Sequence, residues 1–271
     1  MSRTGFWWTA VAVVALSTVL VFNYWASYQP LSTLVYTGVV LALCGLANLV
    51  IPFRFLGIRK RSVGALVLAG GVVLALTALL WPASMIRVAQ HETLLDDIMP
   101  EYQFGEQHSQ LIHARPEQVM RAIRETTLGD LKSYVTLMRI RGVALRRAFH
   151  PGDSQNQRVF EAFSSAFTSL GASEHEIVMG GIGKARSPRP EVKNLAEFSG
   201  YHDEGIKIAF NLYVADAGDG WSNVRTDTRV LALDDYSRRI MGRYWRLIVP
   251  GSGLLRRQWL DGIKKRAESA S

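Results

Sequence analysis

The first third of the chain contains no acidic residue. All 23 Asp and Glu side chains follow Pro82, whereas Arg3, Arg54 and the three cations at residues 59–61 precede it. The net charge of +8 therefore divides into +5 before Pro82 and +3 after it, where 26 Lys and Arg are set against the 23 carboxylates. This dilute excess does not indicate a nucleic-acid partner, because phosphate recognition requires clustered cations.

Cysteine and metal-binding motifs are also scarce. Cys44 is the one cysteine and lies in an apolar run, which excludes disulfides within the chain and thiolate metal sites. There is no HExxH motif, and His108 and His113 fall on opposite faces of a predicted strand. We therefore predict neither a metal site nor a cofactor.

The glycine-rich GGIG at residues 180–183 superficially suggests a phosphate-binding loop. It lacks the GxxxxGK(S/T) spacing of such a loop and does not open a helix. We interpret it as part of a strand in which the backbone bends or closely approaches a neighbour.

Three long apolar runs without charged side chains dominate the first third of the chain. They cover residues 6–24, 31–51 and 63–81. Each approaches the roughly 20 residues that a helix needs to cross a bilayer core. The sequence predicts an all-α anchor of three transmembrane helices over residues 1–82, followed by a juxtamembrane stem over residues 83–101.

The first run has an alternative explanation, a cleaved signal peptide. Only Ala26 and Ser27 resemble a cleavage site. Aromatic residues typical of membrane interfaces flank the run at both ends and favour a retained helix: Trp7, Trp8, Tyr24 and Trp25.

The positions of the short-loop cations predict an orientation. The loop between the second and third runs carries Arg54 and residues 59–61, whereas the first loop carries no cation. The positive-inside rule then places the N-terminus in the cytoplasm and the C-terminal domain outside it. Because the runs contain no ionisable side chain of the kind that transport pathways use, we predict a passive anchor, in a bacterial plasma membrane.

Residues 102–271 are predicted to form a soluble α+β domain. Residues 102–114 alternate as a strand does, with Glu106 and His108 on the same face. The loop at residues 217–221, AlaGlyAspGlyTrp, predicts a hairpin, and residues 250–253 are expected to break or kink a long terminal helix. The other predicted elements are helices from Pro116 and over residues 128–147 and 157–170, and strands over residues 175–185, 205–216 and 222–235.

Two stretches of this domain carry a family resemblance. They are EHEIVMGGIGKA and NVRTDTRVLALDDYSRRIMGRYWRLIVPGSGLLRRQWL. With the order of elements, they resemble the START-like superfamily, also called SRPBCC or polyketide-cyclase-like, over roughly residues 102 to 268. The similarity is to uncharacterised bacterial members with a ThrXaaThrArgVal strand, here Thr226 to Val230, followed by TyrTrpArg and ProGlySer.

The resemblance implies a helix-grip fold, in which an antiparallel sheet curls around the C-terminal helix and leaves an elongated apolar cavity. Members of the superfamily bind lipids, sterols, polyketides or other hydrophobic molecules, and a minority catalyse cyclisation or dehydration. The three preceding spans depart from the plain soluble pattern. Six apolar and aromatic side chains are expected to line or plug the cavity: Ile206, Ile208, Phe210, Leu212, Tyr244 and Trp245.

Three charged residues in the predicted strands have two interpretations. Glu176, Asp227 and Arg229 are candidates for a polar anchor that holds a ligand head group at the cavity wall. Alternatively they form an ion pair between adjacent strands, for example Glu176 with Arg229.

The leading hypothesis is a membrane-anchored, non-catalytic domain that binds a lipid or another hydrophobic small molecule. One alternative is a cyclase, dehydratase or hydrolase that uses a histidine or carboxylate in the cavity. Another is an interaction subunit of a membrane complex whose pocket is filled by its own side chains. The sequence identifies no protein partner.

Overall fold

The structure, a computed structural model, describes residues 12–20, 29–50, 61–144, 154–184 and 188–269. These residues form an α+β protein with N-terminal helices, a five-stranded antiparallel sheet and a long C-terminal helix.

The described residues divide into two compact units. The first comprises the described residues up to Pro82 together with residues 242–250, and the second comprises residues 83–241 and 251–269. The predicted domain bounds did not anticipate that a segment of the C-terminal helix belongs with the N-terminal helices.

Helices α1 (Pro30–Val50) and α2 (Arg61–Leu80) are both long and apolar enough to cross a membrane. They correspond to the second and third apolar runs. Residues 12–20 of the first run are helical, and the rest of that run lies outside the described residues.

Glycines allow α1 and α2 to pack backbone against backbone. A Cβ atom at Gly38 would lie 2.6 Å from the backbone nitrogen of Ala75, and one at Gly71 would lie 2.6 Å from the carbonyl oxygen of Gly38. Small residues thus let the two helix backbones approach closely. Asn48 is buried beside Gly64, but its side-chain amide has no hydrogen-bond partner among the described residues.

The segment 242–250 also bonds to these helices within the first unit. Arg246 donates from its two terminal nitrogens to the carbonyl oxygens of Leu79 and Trp81, at 2.5 and 2.6 Å. Basic side chains commonly satisfy the last carbonyls of a helix in this way. Tyr36 donates its hydroxyl proton to the carbonyl of Leu247 at 2.7 Å.

The described part of the second unit contains seven strands. The main sheet has the order β3-β7-β6-β5-β4, with antiparallel neighbours throughout, and β1 and β2 form a separate antiparallel pair. The strands are β1 (Ile86–Arg87), β2 (Glu101–Tyr102), β3 (Phe104–Ile112), β4 (Thr168–Ala172), β5 (Glu176–Gly183), β6 (Ile206–Gly218) and β7 (Trp221–Ala232).

Six further α-helices occur among the described residues. They are α3 (Leu94–Ile98), α4 (Pro116–Glu125), α5 (Tyr134–Ala144), α6 (Val159–Phe163), α7 (Leu195–Gly200) and α8 (Asp235–Ser269). Helix α4 begins as predicted, with Pro116 in the first turn and the Gln118 side chain accepting the backbone N–H of Arg115.

The β6–β7 hairpin turns at Asp219 and Gly220, both with positive φ values of 51° and 75°. This backbone matches the right-handed twist of the flanking strands, and Asp-Gly is a favoured pair for it. The hairpin prediction is confirmed.

The sheet is covered on both faces. The helix face, which carries Phe210, packs against α4 and residues 251–269 of α8, with Val119, Ile123, Trp259 and Ile263 in the shared core. The stem face, which carries Arg229, packs against α3 and α7 through a second core that contains Leu95, Val178 and Phe198.

Three local predictions were wrong or incomplete. Residues 157–170 do not form one helix, because α6 stops at Phe163 and β4 begins at Thr168. Gly171 lies at a register shift in β4. Within residues 128–147 a short 3-10 turn over Leu128–Asp130 precedes α5, and Pro250 lies inside the continuous α8 without breaking it.

Candidate functional site

Polar side chains interrupt the apolar helix face of the sheet. Glu106 on β3 pairs with Thr228 on β7, which pairs in turn with Phe210 on β6, so the three share a face. His108 and Thr226 form the adjacent cross-strand pair. All four polar side chains are buried.

Glu106 and His108 are joined by a short hydrogen bond. His108 Nε2 lies 2.7 Å from Glu106 Oε1, and the two residues are 7% and 3% exposed. The second carboxylate oxygen, Oε2 of Glu106, has no hydrogen-bond partner among the described residues, and neither has Oγ1 of Thr228. Two buried polar atoms on cross-strand neighbours are therefore unsatisfied.

Arg256 reaches the same row from α8. It donates from Nη1 to Oγ1 of Thr226 at 3.1 Å, and its guanidinium lies 4.9 Å from the ring centre of Phe210 and 5.6 Å from that of Trp259. Burial lowers the pKa of Arg256, and the charges of Glu106 and Asp227 oppose that change. Among the described residues no carboxylate forms an ion pair with Arg256.

An aromatic cluster closes the site on one side. Phe210 meets Trp259 and Phe167 edge to face, with ring centres 6.2 and 5.2 Å apart, and Phe163 meets Trp259 at 5.9 Å. Val230 and Ile208 are paired across β7 and β6 and form the next pair on this face after Thr228 and Phe210. Ile208 and Ile206 are only half-buried.

The structure brings four of the predicted cavity residues together on the helix face: Ile206, Ile208, Phe210 and Leu212. Phe210 and Leu212 are buried in the core. Tyr244 and Trp245 belong to the first unit, with α1 and α2, and are not part of the site described for the second. The role of the four β6 residues as ligand contacts stays a prediction.

The three predicted charged anchors lie on the stem face. Arg229 donates to Asp96 at 2.5 Å and to Asp227 at 2.9 Å, and also to the carbonyl oxygen of Met99 at 3.0 Å. Its guanidinium lies 5.1 Å from the ring centre of Tyr102. Arg229 thus fixes the stem to the sheet.

Glu176 supports the same segment. Its carboxylate accepts the backbone N–H groups of Leu94 and Leu95 at 2.7 and 3.3 Å and the side-chain amide of Asn211 at 2.6 Å. The suggested pair of Glu176 with Arg229 is therefore not the arrangement found. Since all three charged side chains are engaged on the face away from Phe210, we assign them a structural role.

Burial and pairing act oppositely on the pKa values of the stem-face carboxyls. Burial raises the pKa of Asp96, but hydrogen bonds from Arg229, from the Thr93 hydroxyl and from two backbone N–H groups outweigh it and lower the pKa to about 2. For Asp227 burial dominates over the charge of Arg229 and raises the pKa.

Sequence reasoning placed Glu106 and His108 on one strand face but did not identify Arg256, Thr226 or Thr228 as their neighbours. The sequence contains one signal for Arg256. Arg256 precedes Trp259 by three residues, and residues at this spacing are neighbours on the surface of a helix. The pairing of β3 with β7, which completes the site, joins residues more than 100 positions apart and left no local signal.

Comparisons with known proteins do not identify a family. No family model and no curated protein matches the chain. A solved structure of a hypothetical protein from Helicobacter pylori is similar at 9% identity and a TM-score of 0.34, covering 68% of this chain and 99% of its own. A solved protein from Thermus thermophilus is similar at 13% identity and a TM-score of 0.27, covering 62% and 99%. At these TM-scores neither similarity supports an assignment.

Proposed function

We propose that this chain is a membrane-anchored protein whose START-like, helix-grip second unit binds a lipid or another hydrophobic small molecule without transforming it. The ligand lies on the helix face of the sheet, beside α8. One observation carries the proposal: Oε2 of Glu106 and Oγ1 of Thr228 are buried among apolar side chains without a hydrogen-bond partner among the described residues. A mostly apolar lining with a few convergent polar groups is typical of small-molecule sites.

A buried polar atom without a hydrogen-bond partner costs about 1–3 kcal/mol. Oε2 of Glu106 and Oγ1 of Thr228 are two such atoms. A ligand that supplies their partners recovers this cost on binding, while Ile206 and Ile208 provide half-buried apolar surface for its body.

Photolabelling of the full-length chain in lipid nanodiscs tests the proposal. The probe is a long-chain alcohol that carries a diazirine, and crosslinked peptides are mapped by mass spectrometry. We expect labelled residues in β6, β7 and residues 251–263. Ile208→Trp, which fills the proposed site, is expected to reduce labelling at least about tenfold, or by about 1.4 kcal/mol in binding free energy.

Leu111→Trp is the matched control, because it inserts the same side chain at a half-exposed position on the stem face of β3. Thermal unfolding of both variants shows that they are folded. Labelling that persists in Ile208→Trp, or that is confined to α1 and α2, would argue against a ligand site on the sheet.

The anchor is proposed to consist of three transmembrane helices, with a cytoplasmic N-terminus and the second unit outside the cytoplasm. The apolar character of α1 and α2 and the cations at residue 54 and residues 59–61 support this arrangement. Because Cys44 is the one native cysteine, this orientation can be tested by labelling introduced cysteines. In a Cys44→Ser background, Glu174→Cys places a thiol at an exposed position of the second unit.

A membrane-impermeant maleimide is expected to label Glu174→Cys in intact bacterial cells. Gly57→Cys, in the loop between the second and third apolar runs, is expected to react only after lysis. The reverse pattern would show that the second unit is cytoplasmic.

A second candidate function, proton-transfer catalysis, is favoured by the 2.7 Å contact between His108 and Glu106. A carboxylate that orients a histidine is a common general-base arrangement. Conversion of a bound compound by the wild type, lost in His108→Gln while binding is kept, would establish catalysis in place of simple binding.

A further inference from the structure

We infer that the ligand carries an uncharged head group that both donates and accepts hydrogen bonds, such as a hydroxyl or a primary amide, held between Glu106 and Arg256. This inference rests on the proposed function and specifies the chemical class that the site accepts.

Glu106 and Arg256 differ in the hydrogen bonds that they can form. A carboxylate only accepts, and Glu106 has one oxygen bonded to His108 and the other unused. A guanidinium only donates, and one hydrogen bond from Arg256, to Thr226, occurs among the described residues. The site therefore offers an acceptor on one wall and donors on the other, which a head group with both functions satisfies.

Glu106 and Arg256 also carry opposite charges. Glu106 is buried and Arg256 is half-buried, and they contribute one negative and one positive charge to the polar row. An anionic head group near Arg256 would also face the unpaired Oε2 of Glu106, and a cationic head group near Glu106 would face Arg256. Like charges repel strongly where water is scarce, so a neutral head group fits better than either ion.

Two neighbouring ionisable residues, Asp227 and His108, already have partners. Asp227 acts electrostatically on Arg256. Its carboxylate is nevertheless paired with Arg229 on the stem face, at 2.9 Å. His108 is hydrogen-bonded through Nε2 to Oε1 of Glu106, which leaves Oε2 outside this bond.

Thr228 adds a third contact. Its hydroxyl has no partner among the described residues and is the cross-strand neighbour of Glu106. A hydroxyl both donates and accepts, so Thr228 complements the same neutral head group. The adjoining Val230 and Ile208 then lie beside the first carbons of an apolar body.

Competition against the photoprobe tests this inference with the full-length chain in nanodiscs. The competitors are dodecanol, dodecane sulfonate, dodecyltrimethylammonium and dodecane, compared at equal mole fraction in the bilayer. Two of them carry permanent charges, so protonation does not confuse the comparison. We expect dodecanol to displace the probe at a concentration at least about tenfold lower than the other three require.

Two variants test whether Glu106 and Arg256 cause the preference for an uncharged head group. Glu106→Gln keeps the shape of the side chain but removes its charge, so competition by the sulfonate should improve about tenfold. Arg256→Met removes the donor and the cation, so competition by dodecanol should weaken and that by the trimethylammonium compound should improve. Arg239→Met, at an exposed position of α8, is the control and should change neither.

The outcomes separate this inference from the proposed function. If the sulfonate or the ammonium compound competes as well as dodecanol in the wild type, the uncharged head group is wrong although a ligand site exists. If dodecane competes equally, the polar row is satisfied by water and does not recognise a head group. If the probe does not label the helix face at all, the proposed function itself fails.

Discussion

Replacing Arg229 with methionine is expected to destabilise the second unit by about 3–5 kcal/mol, because removal of one partner leaves buried carboxylates without a counter-charge. The guanidinium lies 2.5 Å from Asp96 and 2.9 Å from Asp227, and the side chains of Arg229 and Asp96 are each 6% exposed. The variant also loses the hydrogen bond to the carbonyl of Met99 that holds the stem.

Pulse proteolysis in urea, applied to the full-length chain in nanodiscs, measures this loss. The matched control is Arg238→Met, because Arg238 and Asp235 form an exposed pair with side chains that are 45% and 72% accessible. Exposed pairs contribute about 1 kcal/mol or less. Equal effects of the two substitutions would show that the buried network does not stabilise the fold.

The pH dependence supplies an internal check on the same variant. The pKa of Asp96 is lowered to about 2 in the folded protein, below its ordinary value of about 3.9. Its contribution is therefore present above about pH 4 and is lost as the pH falls towards about 2. The loss of unfolding free energy in Arg229→Met should be greatest near neutral pH. It should become smaller in acid, because protonated carboxyls carry no charge for Arg229 to neutralise.

Replacing Trp259 with alanine is expected to cost about 3–5 kcal/mol, the range for deletion of a large aromatic side chain from a core. Trp259 is 2% exposed and meets Phe160, Phe163 and Phe210 with ring centres 5.6, 5.9 and 6.2 Å apart. Loss of the ring leaves a cavity between α8 and the sheet, and these neighbours can only partly fill it.

The same unfolding assay tests this prediction, with Trp221→Ala as the control. Trp221 is half-buried and stacks on His113 next to the hairpin turn, at 4.6 Å between ring centres. Removing it should cost about 1 kcal/mol or less, as for other cross-strand pairs. A small effect at Trp259 would mean that the C-terminal part of α8 does not stabilise the sheet.

Elements with strong local signals could be predicted from the sequence. The alternation in residues 102–114, the Asp219-Gly220 turn and Pro116 at a helix start each depend on neighbours in the chain, and β3, the β6–β7 hairpin and α4 follow from them.

Residues 157–170 show where local patterns fail. Their apolar spacing fits a helix, yet residues from Thr168 pair with β5 and form a strand. The pairing is favourable because Leu170 packs against Gly180, where a side chain would clash. A contact of this kind is decided by tertiary structure, which overrides local propensity.

The candidate site was predictable only in part, because the sheet is buried on both faces. Phe210 and Leu212 are buried on the helix face of β6, but Ala209 and Asn211 are buried on the stem face. A period of two identifies which residues share a face, not which face a ligand contacts. The alternation therefore does not reveal that Arg229 bonds to Asp96 and Met99 of the stem as well as to Asp227.

Native mass spectrometry of the full-length chain, released from nanodiscs after gentle purification, tests the central claim of ligand binding most directly. The account predicts a non-covalent adduct of one small molecule per chain in the wild type and in Leu111→Trp, and its loss in Ile208→Trp. A bare polypeptide mass in the wild type, or an adduct that survives Ile208→Trp unchanged, would contradict it.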